Sequence, residues 1–226
     1  MRIYIQGRIK MGQIIKPESL HLQAYNILKQ SIIDGERKPS ERVVESKVAS
    51  LLGISRGPVR EAIRMLIQDG LLIYNDGFVK VYEPSIQDIK EIFECRESLE
   101  VLAIKLAIEH GNEAFLKELV NNIKETKEVL DQGLRLKQMD QQFHTIIINA
   151  SGNNHLVQLL DIIKTKIHYM RSNMETNFYP TLIDEHEKIY QCILHKDIEK
   201  AEKLIRIHIQ KGLDGVLKKI NDSETR

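Results

Sequence analysis

Only two cysteines occur in the 226 residues, Cys95 and Cys192, far apart and in no patterned spacing. That argues against a disulfide scaffold and against a cysteine-based zinc site, and it fits a reducing, cytoplasmic setting. No apolar run approaches the roughly 20 residues that a membrane helix needs, so no membrane partner is expected. The opening stretch, MRIYIQGRIKMGQIIK, has basic side chains but no continuous apolar segment and no small-residue cleavage site. No signal peptide is expected from it. Also missing are a His-Glu-x-x-His helix, an activated serine or cysteine arrangement and a Gly-rich phosphate loop, the common sequence signs of hydrolases and nucleotide enzymes. No internal repeat or low-complexity segment stands out.

What is present is the balance of a globular chain, 42% apolar and 29% charged. The net charge of +1 conceals an asymmetry. Residues 1–82 carry 13 basic against 8 acidic side chains, and the remainder carries 20 against 24. A basic first third and a mildly acidic rest imply two modules with different partners, a polyanion being the natural partner of the first.

Punctuation along the chain places the modules. Leu71 to Val81 reads as two short β-prone stretches around Asn75-Asp76-Gly77, strong hairpin chemistry because Gly tolerates positive φ and Asn and Asp favour turns. Just beyond, Pro84 and Ser85 read as a helix start, with Ser85 able to cap the free backbone donors. Upstream, three helices are predicted. The first covers about Ser19–Asp34, with Leu20, Ala24, Ile27, Leu28 and Ile32 on one face. The second covers about Val44–Leu52, with Val44, Val48, Leu51 and Leu52 at helical spacing and Gly53 as its stop. The third runs from an N-cap at Ser55 to about Asp69, with Pro58 in its tolerant first turn. From Ser85 onward about six helices are expected, broken near Gly111-Asn112, Gly133, Gly152-Asn153-Asn154, Tyr179-Pro180 and His195-Lys196-Asp197. The fold class is therefore mainly α: a winged helix-turn-helix over residues 1–82, with 1–18 as a flexible arm, then an all-α antiparallel bundle over 83–226.

The third helix has the composition of a DNA-reading element. Val59, Ile63, Leu66 and Ile67 point one way, and Arg56, Arg60, Glu61 and Arg64 point elsewhere. Arg56 and Arg60 lie one turn apart on the same exposed face, and arginine can grip guanine O6 and N7 together. Ser55 and Gly57 keep the helix tip small where the dipole favours phosphate. Arg42 and Lys47 before it, and Gly77 and Lys80 in the wing, are candidates for contacts that position without specifying. The plainer alternative is a solvated face in which these arginines pair with Glu61 and Asp69.

These residues resemble the GntR family of transcriptional regulators. The resemblance rests on Arg37-Lys38-Pro39-Ser40-Glu41-Arg42-Val43, Glu45, Ala49, Leu52 through Ile63, Leu66 and Asp69-Gly70-Leu71-Leu72. The family usually has Pro-Gly where this chain has Pro39-Ser40, and commonly Thr where it has Gly57. The resemblance implies a homodimer on a two-fold double-stranded DNA operator, with Arg42, Arg56 and Arg60 as main contacts.

In the second half, Asp140 and His144 lie four apart and so project from one helix face. His186 sits near the start of a later helix, and His208 lies between Ile205 and Ile209 on an inward face. Three imidazoles and a carboxylate converging inside a bundle would suit Zn²⁺, Ni²⁺ or Mn²⁺. The spacing leaves open the alternative that each histidine is a hydrogen-bonded core residue.

This half resembles the FCD-type ligand-sensing domain of the FadR subfamily of GntR regulators, in its metal-binding branch. The matching pieces are Arg96–Glu100 with Ala103 and Ala107, Asp140 through His144, Ala150-Ser151-Gly152-Asn153, Glu185-His186 with Ile189, and Ala201 with His208. The resemblance implies that Asp140, His144, His186 and His208 bind a divalent metal, Zn²⁺ being the first choice. It also implies that Arg96 faces a pocket for a small carboxylate, whose planar recognition suits arginine; Asn153 and Arg171 are further effector candidates. The alternative for Arg96 is an intrahelical pair with Glu100. His21, His110, His155, His168 and His195 are read as surface or packing residues.

The expected function is a DNA-binding transcriptional regulator, a repressor and not an enzyme, whose operator affinity responds to an organic acid bound near the metal. Two alternatives are kept. One is a metal-dependent hydrolytic enzyme with Glu185 or Glu187 beside the metal and an accessory DNA-binding domain. The other is a regulator whose metal is purely structural.

Overall fold

The computed structural model describes residues 18–130, 132–172 and 181–224. Its first part is a winged helix-turn-helix. Helix α1 (Leu20–Ile33) packs on α3 (Arg56–Gln68), and α2 (Glu45–Leu52) joins α3 through Gly53. Gly53 closes α2 at φ +64, a left-handed conformation that a side chain would resist. The wing is the hairpin β2 (Leu72–Asn75) and β3 (Phe78–Val81), with Asp76 and Gly77 both at positive φ in its turn.

A third strand was not foreseen. Strand β1 (Arg42–Val43) adds to the hairpin in the order β1-β3-β2, with Arg42 opposite Lys80. Two residues are too few for any alternation to show in the sequence. Just before it, Ser40 sits at φ +62, so the position where the related regulators carry glycine does demand a left-handed backbone. Its hydroxyl donates to Glu83 Oε2 at 2.5 Å, a contact that glycine could not make.

Buried apolar faces follow the predicted periodicities with three corrections. Ala24, Leu28 and Ile32 are buried on α1, but Leu20 and Ile27 are about half exposed. Ile27 lies roughly 100° around the helix from Leu28, off the arc that α3 covers. On α2 the inner face is Val48 and Ala49; Leu51 points outward at 77% exposure because the chain turns away at Gly53.

Among the described residues the second part holds six helices: α4 (Ile86–His110), α5 (Glu113–Glu128), α6 (Gly133–Ala150), α7 (Asn154–Ser172), α8 (Leu182–Leu194) and α9 (Ile198–Glu224). They break where Gly, Asn and Asp punctuate the sequence; Tyr179-Pro180 falls outside the described residues. Ser85 starts α4 as predicted, in a reciprocal box: its hydroxyl accepts from Asp88 N at 3.1 Å, and the Asp88 carboxylate accepts from Ser85 N at 2.9 Å. Helix α4 lies against α9 and α6, around a core that includes Phe93, Ile104, Phe143, Ile189 and Ile205.

The two cores meet through α7. Ile167 and Met170 belong to the core of the bundle, whereas Tyr169 between them is 1% exposed among the apolar residues of the winged head. The Tyr169 hydroxyl donates to the Tyr82 carbonyl at 2.5 Å, at the end of the wing. Burial pushes its ionisation up to about 12.

Candidate metal centre and DNA-reading face

Three helices bring the four metal candidates together. Asp140 and His144 come from adjacent turns of α6, His186 from the second turn of α8 and His208 from the middle of α9. All four are buried, at 0, 2, 0 and 7% exposure, and one donor atom from each lies within 4.8 Å of every other. Asp140 Oδ1 stands 3.4 Å from His186 Nε2, 3.6 Å from His208 Nε2 and 3.7 Å from His144 Nε2. Metal–ligand bonds of about 2.0–2.2 Å set neighbouring donors about 3–3.6 Å apart, which is close to this spacing.

Two further features fit a cation. His144 Nε2 and His208 Nε2 face each other at 3.0 Å. Their Nδ1 atoms meet the carboxylates of Glu100 at 2.5 Å and Glu185 at 2.8 Å, so Nδ1 carries the proton on each ring. The two facing Nε2 atoms need a cation between them in this dry interior, either a proton on His208, whose basicity Asp140 and Glu185 raise against burial, or a shared metal ion. His186 is the second feature: fully buried, among the described residues it has no well-formed hydrogen bond at either ring nitrogen beyond the 3.4 Å approach of Asp140 to Nε2, and its ring stacks on Phe143 at 3.7 Å. Burial pushes its basicity down to about 4, leaving it neutral and ready to ligate at ordinary pH.

Sequence reasoning placed these four residues but missed what surrounds them. Burial opposes ionisation of Glu100, yet the Arg96 guanidinium and His144 outweigh it and hold the carboxyl below the usual range. Glu185 is likewise held at about 2 against burial, by His208, Lys211 and Thr181. The signal for Glu100 was present as the Arg96–Glu100 spacing, which reads equally well as a surface pair. Arg96 Nε in fact donates to Glu100 Oε1 at 2.6 Å with both side chains buried, so this nitrogen is committed within the chain.

Of the other effector candidates, Asn153 is half buried and caps α7, its side-chain oxygen accepting from Leu156 N at 3.1 Å. The side chain of Arg171 lies outside the described residues. His168, read as a packing residue, contacts the side chain of Gln141, the residue following Asp140.

On the head, α3 buries Val59, Ala62, Ile63 and Leu66 and exposes Arg56, Arg60 and Arg64. Arg56 and Arg60 converge on Glu45 at the start of α2, at 3.4 and 3.2 Å. Glu61 instead meets Arg64 at 3.6 Å, and Asp69 is held by Tyr25 and Lys29. The partners of Arg56 and Arg60 are therefore not those that the sequence alternative named. Ser55 occupies the N-cap position of α3 as predicted, but its side chain makes no cap bond and stays exposed. An added Cβ at Gly57 would meet nothing within 4 Å, so the helix tip is open to a partner. Arg42 lies 3.4 Å over the Phe78 ring, Lys80 reaches Asp76 at 3.6 Å and Lys47 is exposed on α2.

A winged helix-turn-helix with three arginines exposed on α3, joined to a helical bundle with a buried Asp-His₃ group, defines the class of helix-turn-helix transcriptional regulators. Residues 20–78 match the gntR family of bacterial regulatory proteins, and residues 91–211 match the FCD domain. The chain belongs to the GntR family of DNA-binding transcriptional regulators and carries an FCD domain. It is 34% identical over 200 residues to the uncharacterized HTH-type transcriptional regulator YdhC of Bacillus subtilis, covering 85% of this chain and 89% of that one. Over 201 residues it is 26% identical to the HTH-type transcriptional repressor GlaR of Escherichia coli, covering 83% and 91%. Among solved structures, E. coli McbR/YncC shares the fold at a TM-score of 0.74 and 23% identity, covering 88% of this chain and 98% of that one. No helix among the described residues is long and apolar enough to cross a membrane.

Proposed function

We propose that this regulator is a homodimeric repressor whose grip on a two-fold operator is set by a small carboxylate anion bound at a divalent metal. Asp140, His144, His186 and His208 hold the metal, Zn²⁺ first and Ni²⁺ or Mn²⁺ as alternatives. The observation that carries this reading is the convergence of three buried Nε2 atoms on one buried carboxylate. Such a metal supplies Lewis acidity and open positions for a carboxylate. The protein's part is to exclude water and fix the four donors. Repression as the polarity is supported by the relative named a repressor.

DNA contacts fall to Arg42, Lys47, Ser55, Arg56, Gly57, Arg60, Arg64, Gly77 and Lys80. Arg56 and Arg60 read bases from α3, and the wing and α2 hold phosphates. The working division lies between residues 82 and 83. The effector lies near Arg96, with Asn153 and Arg171 as outer candidates. Helix α6 carries two ligands and, through Gln141 and His168, touches α7, whose Tyr169 enters the head. A shift of α6 on ligand binding is thereby felt where the head is seated, as a change in the population of dimer geometries. A hydrolytic role is disfavoured because Glu185 is engaged by His208, Lys211 and Thr181, and Glu187 by Lys127.

The test is fluorescence anisotropy of the full chain on DNA from upstream of its own gene and on operators drawn from a genomic binding selection. Zinc-loaded and chelator-stripped protein are compared, with and without a panel of small organic acids. The reading predicts salt-sensitive, sequence-preferring binding that an acid alters only in the metal-loaded protein. An acid response that survives metal removal separates sensing from the metal and overturns binding at it, and no response from any acid sinks the sensing role and leaves a structural metal.

A further inference from the structure

Two of the three histidines at the centre are held from behind in the same way, by groups that the family resemblance does not assign. His144 Nδ1 donates to Glu100 Oε2 at 2.5 Å, and the other Glu100 oxygen accepts from Arg96 Nε at 2.6 Å. His208 Nδ1 donates to Glu185 Oε2 at 2.8 Å, and the other Glu185 oxygen accepts from Lys211 Nζ at 2.5 Å and from Thr181 Oγ1 at 2.6 Å. The order is the same in both: cation, carboxylate, imidazole Nδ1, with Nε2 left facing the centre. The two chains are built independently, one from α4 onto α6 and the other between α8 and α9.

We propose that Glu100 and Glu185 are positioning residues for the metal, each fixing its histidine with Nδ1 protonated and Nε2 aimed at the cation, while Arg96 and Lys211 fix the carboxylates. This rests on the reading that a metal occupies the Asp-His₃ centre. An imidazole's two nitrogens cannot both be lone pairs while one carries the proton, so an acceptor at Nδ1 decides which nitrogen ligates. A carboxylate there also makes the ring a stronger donor, and its loss weakens metal binding about 10–100-fold. His186 is different. Among the described residues no side chain holds its outer nitrogen, and stacking on Phe143 sets its plane without choosing its tautomer.

Arg96 Nε is thereby assigned to Glu100 behind His144, which leaves the remaining guanidinium nitrogens to the effector reading. The arrangement also gives a use to two ionised carboxylates, Glu100 buried and Glu185 partly buried, that are neither metal ligands nor available bases. Glu100 is matched inside the bundle by Arg96, and Glu185 nearer the surface by the partly exposed Lys211.

The test uses full-length protein stripped of metal, with Zn²⁺ affinity measured by competition against a chromophoric chelator. Glu100→Gln keeps the buried shape, and Glu185→Ala removes the other acceptor outright. Each is expected to weaken Zn²⁺ about 10–100-fold. Glu187→Gln on the same helix, whose partner is Lys127, serves as the matched control and is expected to stay within twofold of the parent. In ¹⁵N-resolved NMR of the metal-free protein, at a pH high enough to make the ring neutral, His208 is expected as the Nδ1–H tautomer and to lose that preference in Glu185→Ala. Should Glu100→Gln fail to fold, the Glu185 variant decides alone. Parent-like affinity in a folded variant, or an Nε2–H ring for His208 in the parent, overturns the positioning role while leaving the metal reading intact. No metal binding by the parent overturns both.

Discussion

The head and the bundle each pair an arginine with a glutamate, and the two pairs share little beyond their chemistry. In the head, Arg60 is 53% exposed and reaches Glu45 at 3.2 Å. In the bundle, Arg96 is 6% exposed and reaches Glu100 at 2.6 Å. Water competes for the first pair and salt screens it, so its partners exchange at little cost. An operator phosphate or a guanine edge can displace Glu45 without leaving a stranded charge. The second pair has no such freedom, because removing one partner leaves the other charged in a dry interior. The head keeps its charge where it can be handed to a polyanion, and the bundle keeps its charge where it fixes geometry.

The largest effect that would sharpen this contrast is expected at Glu100. Glu100→Ala strands Arg96, and urea unfolding of the metal-free protein should show a loss of about 3–5 kcal/mol. A loss below 1 kcal/mol would mean that the pair is less dry than its burial indicates. The pH dependence follows from the lowered ionisation of Glu100. Its stabilising contribution is complete above the unfolded value of about 4.3 and disappears as the pH falls through the depressed folded value. Circular dichroism in acid should therefore show a flatter acid limb for Glu100→Gln.

Next in size is the DNA effect of the exposed pair. Arg60→Ala should lower operator affinity about tenfold or more, with discrimination between operator and scrambled DNA reduced. An equal loss on both DNAs would recast Arg60 as a phosphate contact. The smallest effect is expected where the comparison predicts almost nothing. Glu45→Gln should move the thermal midpoint by less than about 2 °C, because an exposed pair contributes little. A larger drop would break the comparison and make Glu45 a structural residue of the head.

How much of this was legible beforehand depends on how local each feature is. Gly53, Asn75-Asp76-Gly77 and Ser85 announced their turn, hairpin and cap because each acts through its own neighbours. Asp140 and His144 announced a shared face by their spacing, whereas His186 and His208 joined them only through the family resemblance. The side chains behind them were not legible. An Arg–Glu pair four apart looks the same in sequence whether it faces water or the core, and no pattern near Glu185 points to His208, 23 residues on. Leu51 failed for a related reason: its spacing is helical, but the turn at Gly53 leaves it 77% exposed among the described residues.

Tyr169 has a consequence for modularity. Regulators of this build look divisible, a reading head and a separate sensor joined by a short link, as if either could be exchanged. Yet the head's interior is completed by an aromatic ring from the seventh helix, 87 residues beyond the tyrosine carbonyl that receives its hydroxyl. A head cut out at the link would carry a vacant socket the size of a phenol ring. A chimaera on another sensor would inherit that socket unless the new seventh helix supplied a ring at the same height. The seam between the halves is thus less a hinge than a plug and socket, and any grafting scheme has to transplant both pieces.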